Sequence, residues 1–177
     1  MKYEALKIRG ITRNYLECLL VASGNCTNLN AFDKAFRSTA GPQWPDRICE
    51  SAPRYSLHGL CPVPASIVEQ GYMVAGKSWC SDYWGTTDDL LNVEVIRVLG
   101  QRRYRFFARG RAPAHIILNV SHEHPGVRFQ MSTFNPDEAN LRVHKIHDGY
   151  VENISYPWPD EVFSRFRSEL GFQNNAA

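Results

Sequence analysis

The sequence has no long apolar segment. Its longest apolar run is Cys18–Ala22, far below the roughly 20 residues that a transmembrane helix needs. The first ten residues, MKYEALKIRG, lack the apolar stretch of a secretory signal, so we expect no signal peptide. The sequence also lacks a regular cysteine framework: its five cysteines are odd in number and irregularly spaced, and without an export signal this favours free thiols in a reducing cytoplasm.

The sequence also lacks an excess of charge of one sign. Its 20 basic and 18 acidic residues give a formal charge of +2, which does not by itself indicate nucleic-acid binding. It contains no P-loop, no glycine-rich dinucleotide fingerprint and no His-x-Ser/Thr pair of the phosphoesterase type. A hydrophobic fraction of 44% in 177 residues is sufficient for the core of a single domain.

The periodicity of apolar residues predicts the order of the main elements. Asn14–Ala22 is typical of a central strand, and a helix capped by Thr27 or Asn28 is predicted to follow it. NVEVIRVL (92–99) and YRFFAR (104–109) alternate around a turn and predict a hairpin. Apolar residues at helical spacing after Pro113 predict a second helix, and a strand, VRFQMSTF, follows it.

This order predicts an α+β fold with a ferredoxin-like βαββαβ core, in which two helices cover one face of an antiparallel sheet. The core is assigned to residues 13–38 and 92–150. Residues 39–91 are predicted to be a loop-rich insertion, because five prolines are spread between positions 42 and 64. One short strand is predicted within it, at Tyr55–Leu60. An added strand at Leu141–Ile146 follows the core, and residues 151–177 are predicted to be a C-terminal helix extension.

Three stretches resemble a known family. They are YSLHGLCPVP (55–64), YWGTTDD (83–89) and the segment from Val93 through HPGVRFQM to Gly149. Together they are similar to the YubB-like ferredoxin-like-domain family encoded by plasmids and bacteriophages, and the resemblance covers residues 14–150. The family's usual Lys-Trp-Asp continuation after the Trp-Gly-Thr motif is Thr87-Asp88-Asp89 here.

The resemblance implies a ferredoxin-like fold and an origin in a mobile genetic element. It implies neither iron–sulfur binding nor known catalytic residues, and we expect no cofactor. From that setting we expect a non-enzymatic accessory protein, located in the cytoplasm of a bacterial host, that binds and occludes a host macromolecule. A defence-system component is the expected target, so the protein would act as an anti-CRISPR-type inhibitor. A protein partner is the first expectation, and no membrane association is expected.

Aromatic and arginine side chains are the candidates for partner binding, because they dominate binding hot spots. The predicted contact set is Trp84, Arg102, Arg103, Tyr104, Arg105 and Arg109. Two alternatives stay open. Trp84 is more typical of a residue that closes the edge of the core, because buried aromatic residues usually serve packing. The arginine-rich hairpin is also typical of a single-stranded nucleic-acid-binding surface, although alternation places Tyr104 and Phe106 on the face opposite to Arg103 and Arg105.

The third alternative is a metal- or cysteine-dependent enzyme. Thiolates and imidazoles are the ligands that zinc prefers. The candidate zinc set is Cys49, His58, Cys61 and Cys80. Its spacing lacks the paired CxxC knuckles of established zinc modules, and no residue is assigned a catalytic role. The apolar stripe of Val162–Leu170 predicts a helix that docks on its own domain or on another protein.

Overall fold

The computed structural model describes residues 15–37, 41–47, 54–135, 140–156 and 160–172. The strands are β1 (Tyr15–Gly24), β2 (Leu91–Val98), β3 (Gln101–Arg109), β4 (Val127–Asn135), β5 (Asn140–His147) and β6 (Tyr150–Tyr156). The helices are α1 (Cys26–Phe36), α2 (Leu57–Leu60), α3 (Ala65–Gln70), α4 (Lys77–Tyr83), α5 (Ala114–Glu123) and α6 (Asp160–Glu169).

The six strands form one antiparallel sheet in the order β2-β3-β1-β4-β5-β6. The predicted α+β class and the predicted hairpin are therefore confirmed, because β2 pairs with β3 from Val98↔Gln101 to Leu91↔Phe107. Strand β1 lies in the centre of the sheet, between β3 and β4, which agrees with its apolar sequence. It begins at Tyr15 and continues to Gly24, beyond the predicted end; Asn14 lies outside the described residues.

Helices α1 and α5 cover one face of the sheet, as predicted. Leu29, Phe32 and Phe36 of α1 are buried together with Cys18, Leu20 and Ala22 of β1 and with Ile116, Ile117 and Val120 of α5. The alternation along β1 places Cys18, Leu20 and Ala22 on one face of the sheet. The first helix is capped by Asn25, whose side chain accepts from the Asn28 N–H, so the prediction of Thr27 or Asn28 as the cap is wrong. Asn25 is the last residue in extended conformation before the helix.

Helix α6 covers part of the opposite face of the sheet. Phe163 stacks on Phe134 of β4 with ring centroids 5.0 Å apart, and it is buried with Leu19, Leu141 and Val143. The sheet therefore lies between two helical layers, although the second layer covers only part of its face. Docking of this helix on its own domain is confirmed. It buries part of the sheet face that would be exposed if α1 and α5 were the only helices packed on the sheet.

The insertion is more helical than predicted. Tyr55–Leu60 is not a strand: Tyr55 forms one isolated bridge with Arg37, and Ser56 then caps the short helix α2. The predicted helical turn at Ala65–Gln70 is confirmed as α3, and a π-helical turn at Tyr72–Gly76 leads into α4. Trp44 packs directly on Gly76, where a Cβ would lie 2.5 Å from its ring. The prolines thus separate short helices instead of keeping this region free of them.

A hairpin extends the sheet beyond the predicted core. β5 and β6 are joined by Asp148 and Gly149, whose φ angles of 47° and 76° both lie in the left-handed region. Two such residues form the tight turn that suits the twist of a hairpin. The prediction that residues 151–177 form only a helix extension therefore needs correction, because Tyr150–Tyr156 adds the edge strand β6 before α6 begins.

Among the described residues, none of the helices has the length and apolar content needed to cross a bilayer.

Candidate functional site

Trp84 belongs to the core. It is 1% exposed, its indole Nε1–H donates to the Cys61 carbonyl at 2.9 Å, and its ring meets Trp79 edge-on. This side chain therefore fixes α4 against the segment after α2. The interpretation that Trp84 closes the edge of the core is confirmed, and its predicted exposure for partner binding is corrected.

Tyr104 is buried because it supports a buried carboxylate. Its hydroxyl donates to Asp33 at 2.9 Å, and Tyr55 donates to the same carboxylate at 3.1 Å. Arg37 and Arg97 form ion pairs with Asp33 at 3.1 and 3.2 Å. Burial alone would raise the pKa of Asp33, but the hydrogen bonds from Tyr104 and Arg97 outweigh it and hold the pKa below its usual value. This network joins α1, the insertion, β2 and β3.

Replacing Asp33 by asparagine is expected to lower the free energy of unfolding at pH 7 by about 1–3 kcal/mol, because buried donors lose a charged acceptor. The folded pKa lies below the unfolded value of about 3.9. The ionised carboxylate therefore stabilises the fold above that pH, and this contribution is lost as the pH falls through the folded pKa. The stabilities of Asp33→Asn and of the unaltered protein in urea should consequently begin to converge as the pH falls below about 4, and should meet below the folded pKa.

Asp148→Asn is the matched control for this experiment. Asp148 is exposed, and asparagine tolerates its positive φ. We expect this variant to change the free energy of unfolding at pH 7 by less than about 0.5 kcal/mol. A difference between Asp33→Asn and the unaltered protein that stays constant down to acid pH would contradict the assigned role of Asp33.

Arg105 is also an interior residue, at 2% exposure. Its Nε donates to Glu17 at 2.6 Å and its Nη1 donates to Glu94 at 3.0 Å. Arg167 of α6 reaches the same Glu17 carboxylate at 2.8 Å. Glu17 therefore accepts hydrogen bonds from two buried guanidinium groups and joins α6 to the sheet.

The remaining arginines of the predicted contact set lie in three different places. Arg102 is buried and donates to Asn30 of α1 at 2.7 Å. Arg109 is half-exposed and donates to the buried carboxylate of Asp88 at 3.1 Å, near the insertion. Arg103 is partly exposed on the face that carries α6, where its Nη1 donates to the Leu170 carbonyl at 3.0 Å. The predicted contact set therefore does not form one surface.

The candidate zinc residues are used for packing where the structure describes them. Burial raises the pKa of Cys80 to about 12 and also raises that of Cys61, which disfavours thiolate at neutral pH. The His58 Nδ1 accepts from the Val63 N–H at 3.1 Å, so this nitrogen is already engaged. Cys49 lies outside the described residues. Within the described ranges, no group of three or more His, Cys, Asp or Glu residues is arranged to hold a metal ion.

The sequence analysis missed an open groove on the sheet face that α6 covers only in part. The groove has a volume of about 680 Å³. We call it the basic groove and define it by Gln101, Arg103, Arg128, Lys145, His147 and Tyr150. Phe166 of α6 and Leu170, directly after the helix, form its side wall. The defining residues lie on β3, β4, β5 and β6, and Val21 and Ser23 of β1 line the groove between them, so the strand order brings them together.

Positive charge exceeds negative charge in the basic groove. Its lining carries three permanent cations, Arg103, Arg128 and Lys145, against the single carboxylate of Glu152. Glu152 pairs with Lys145 at 3.3 Å, and both side chains are more than half exposed. The interaction energy of such an exposed ion pair is small in water, so Lys145 can exchange Glu152 for another anion. Arg128 is exposed and forms no ion pair with any described residue. The groove therefore has cationic groups available for an anionic ligand.

The comparisons with known proteins give one likeness of fold. No protein-family model matches the chain, and no curated protein matches it. The structure is similar to the crystal structure of protein Api92 from Yersinia pseudotuberculosis, of the family DUF1281. The two align with a TM-score of 0.62 over 81% of this chain and 98% of that chain, at 9% sequence identity. A likeness at this identity shows a common fold and does not carry a function.

Proposed function

We propose that this protein binds single-stranded nucleic acid in the basic groove and does not catalyse a reaction. One observation carries the proposal: the part of the sheet face left open by α6 combines an excess of cations with amide side chains and an exposed tyrosine. Arginine and lysine bind phosphates, amides hydrogen-bond to bases, and aromatic rings stack on bases. The alternative of nucleic-acid binding by the sheet face is thus favoured, at a site displaced from the predicted hairpin.

The charge distribution agrees with a local rather than a global electrostatic attraction. The chain as a whole carries a formal charge of +2, whereas the groove alone combines three cations with one carboxylate. A phosphate backbone would release counterions on binding those cations, so its affinity would depend strongly on salt. A neutral peptide would gain little from them.

The proposal predicts that a fluorescein-labelled single strand of about 12 nucleotides, tested as DNA and as RNA, binds with an affinity that falls between about 50 and 200 mM salt. The double variant Arg128→Glu/Lys145→Glu should weaken binding at least tenfold, because two phosphate contacts become repulsive. Fluorescence anisotropy measures both effects. Circular dichroism confirms that the variant is folded.

The matched control reverses the same number of charges away from the groove. Arg111 follows the far end of β3, and Arg165 lies on the exposed side of α6, so Arg111→Glu/Arg165→Glu should bind as the unaltered protein does. Equal loss in both double variants would show attraction by net charge alone and contradict a defined groove. The absence of any anisotropy change with both strands would overturn the proposal and leave a protein partner as the expectation to pursue.

We also propose that the core is of the ferredoxin-like type. The order β2-β3-β1-β4 within the sheet, with α1 and α5 on one face, supports this topology, and β5, β6 and α6 are additions to it. The resemblance to YubB-like proteins, the origin in a plasmid or bacteriophage, the cytoplasmic location and the inhibition of a host defence component stay predictions. A protein that binds a nucleic acid in this groove would cover it, which agrees with the predicted occlusion of a host macromolecule.

A further inference from the structure

We infer that the bound strand crosses the β-strands of the sheet, along the groove from β3 to β6, and that one base stacks on Tyr150 at the β6 end. This inference rests on the proposed function and adds the direction, the length and the stacking position of the ligand. It depends on the register of the strands, on the wall formed by α6 and on the exposure of Tyr150.

The register places the groove residues in two rows perpendicular to the strands. In the first row, Arg103 lies opposite Val21, Val21 opposite Gln130, Gln130 opposite Lys145, and Lys145 opposite Glu152. In the second row, Gln101 lies opposite Ser23 and Ser23 opposite Arg128, while His147 lies opposite Tyr150. The two rows are two residues apart along each strand, which is roughly 7 Å. The polar groups therefore follow a band across the sheet.

Helix α6 closes the groove in the direction of the strands. Phe166 of this helix and Leu170, directly after it, border the groove, and Arg103 ties the helix end to β3 through the Leu170 carbonyl. Beyond this wall the same sheet face is buried under Phe163. A ligand that ran parallel to the strands would meet the helix. A ligand that crosses the strands meets cations on β3, β4 and β5 in succession.

Tyr150 lies at the end of this path with its ring free. Its side chain is 81% exposed, at the start of the edge strand β6 and directly after the Asp148–Gly149 turn. A tyrosine exposed to this extent contributes little to the packing of the fold, whereas its flat ring suits a nucleobase. Four strand spacings of about 4.8 Å separate β3 from β6, so the path is roughly 19 Å long. It accommodates about four nucleotides, the lower end of the range for single-strand-binding domains.

A length series tests the footprint. Single strands of increasing length, each labelled at one end, are titrated into the protein, and affinity should rise steeply up to about four nucleotides and little beyond that. Tyr150→Ala should weaken binding by at least about fivefold and leave the salt slope unchanged, because stacking releases no counterions. Arg128→Gln should lower the slope of log K against log salt by about 0.7.

Tyr83→Ala and Arg111→Gln are the matched controls. Tyr83 is a half-exposed tyrosine of the insertion, and Arg111 is an exposed arginine at the opposite end of β3; neither variant should change affinity or slope. Binding that keeps strengthening up to about 12 nucleotides, or that is indifferent to Tyr150→Ala, would overturn the crossing path and leave the proposed function standing. The absence of binding at every length would overturn both.

Discussion

Replacing Glu17 by alanine is expected to lower the free energy of unfolding by about 3–5 kcal/mol, because two buried guanidinium groups lose their common counter-ion. Arg105 and Arg167 are 2% and 4% exposed, and Glu17 accepts from them at 2.6 and 2.8 Å. The loss also removes a polar link between α6 and the sheet, so chemical denaturation should show a less stable domain. Urea unfolding at neutral pH measures the change.

Two further variants make this result specific. Glu17→Gln keeps the shape and one acceptor oxygen, and we expect a smaller loss than for alanine. Glu169→Ala removes an exposed carboxylate that pairs with Arg165 on the outer side of the same helix, and it should cost less than about 1 kcal/mol. A Glu17→Ala protein as stable as Glu169→Ala would contradict the buried ionic contact between α6 and the sheet.

Replacing Trp84 by alanine is expected to cost about 3–5 kcal/mol of stability, because a large, fully buried ring leaves a cavity. The substitution also removes the indole N–H, so the Cys61 carbonyl loses this hydrogen bond. Thermal or urea unfolding measures the loss. Oligonucleotide binding by the fraction that remains folded should be unchanged, since Trp84 is remote from the basic groove in the fold.

Trp84→Phe and Tyr83→Ala separate packing from contact. The phenylalanine variant restores most of the buried volume and should recover part of the stability without the hydrogen bond. Tyr83 is half exposed beside Trp84, and its truncation should cost less than about 1 kcal/mol. If Trp84→Ala left stability intact and abolished binding instead, Trp84 would be a contact residue and not a core residue.

Short-range patterns were sufficient to predict the elements that are amphipathic on their own. Leu29, Phe32 and Phe36 repeat at helical spacing and are all buried in α1. The alternation of β2 and β3 predicted their hairpin, which the register confirms. Each of these elements carries a periodic apolar pattern within its own sequence, and that local pattern is the signal. The strand β6 was missed, although Asp148-Gly149 is a strong hairpin signal that would have indicated it.

The candidate site was predicted poorly because it depends on contacts between distant segments. Arg105 was expected at the surface as a charged residue, but its partner Glu17 lies 88 residues away in sequence. Arg167 joins the same carboxylate from 150 residues away. Sequence reading assigns charges to the surface by default and has no local signal for such buried pairs. The basic groove has the same origin, since five strands and the C-terminal end of α6 contribute to it.

The most direct test of the account is to map a titration with an unlabelled single-stranded oligonucleotide onto the backbone amides by ¹⁵N–¹H NMR. The account predicts that the shifted amides concentrate around Arg103, Arg128, Lys145 and Tyr150, on the strands that line the basic groove. Amides of α2, α3 and α4 should stay unchanged. Shifts that concentrate in those helices, or a spectrum that does not change at saturating oligonucleotide, would contradict nucleic-acid binding by the open part of the sheet.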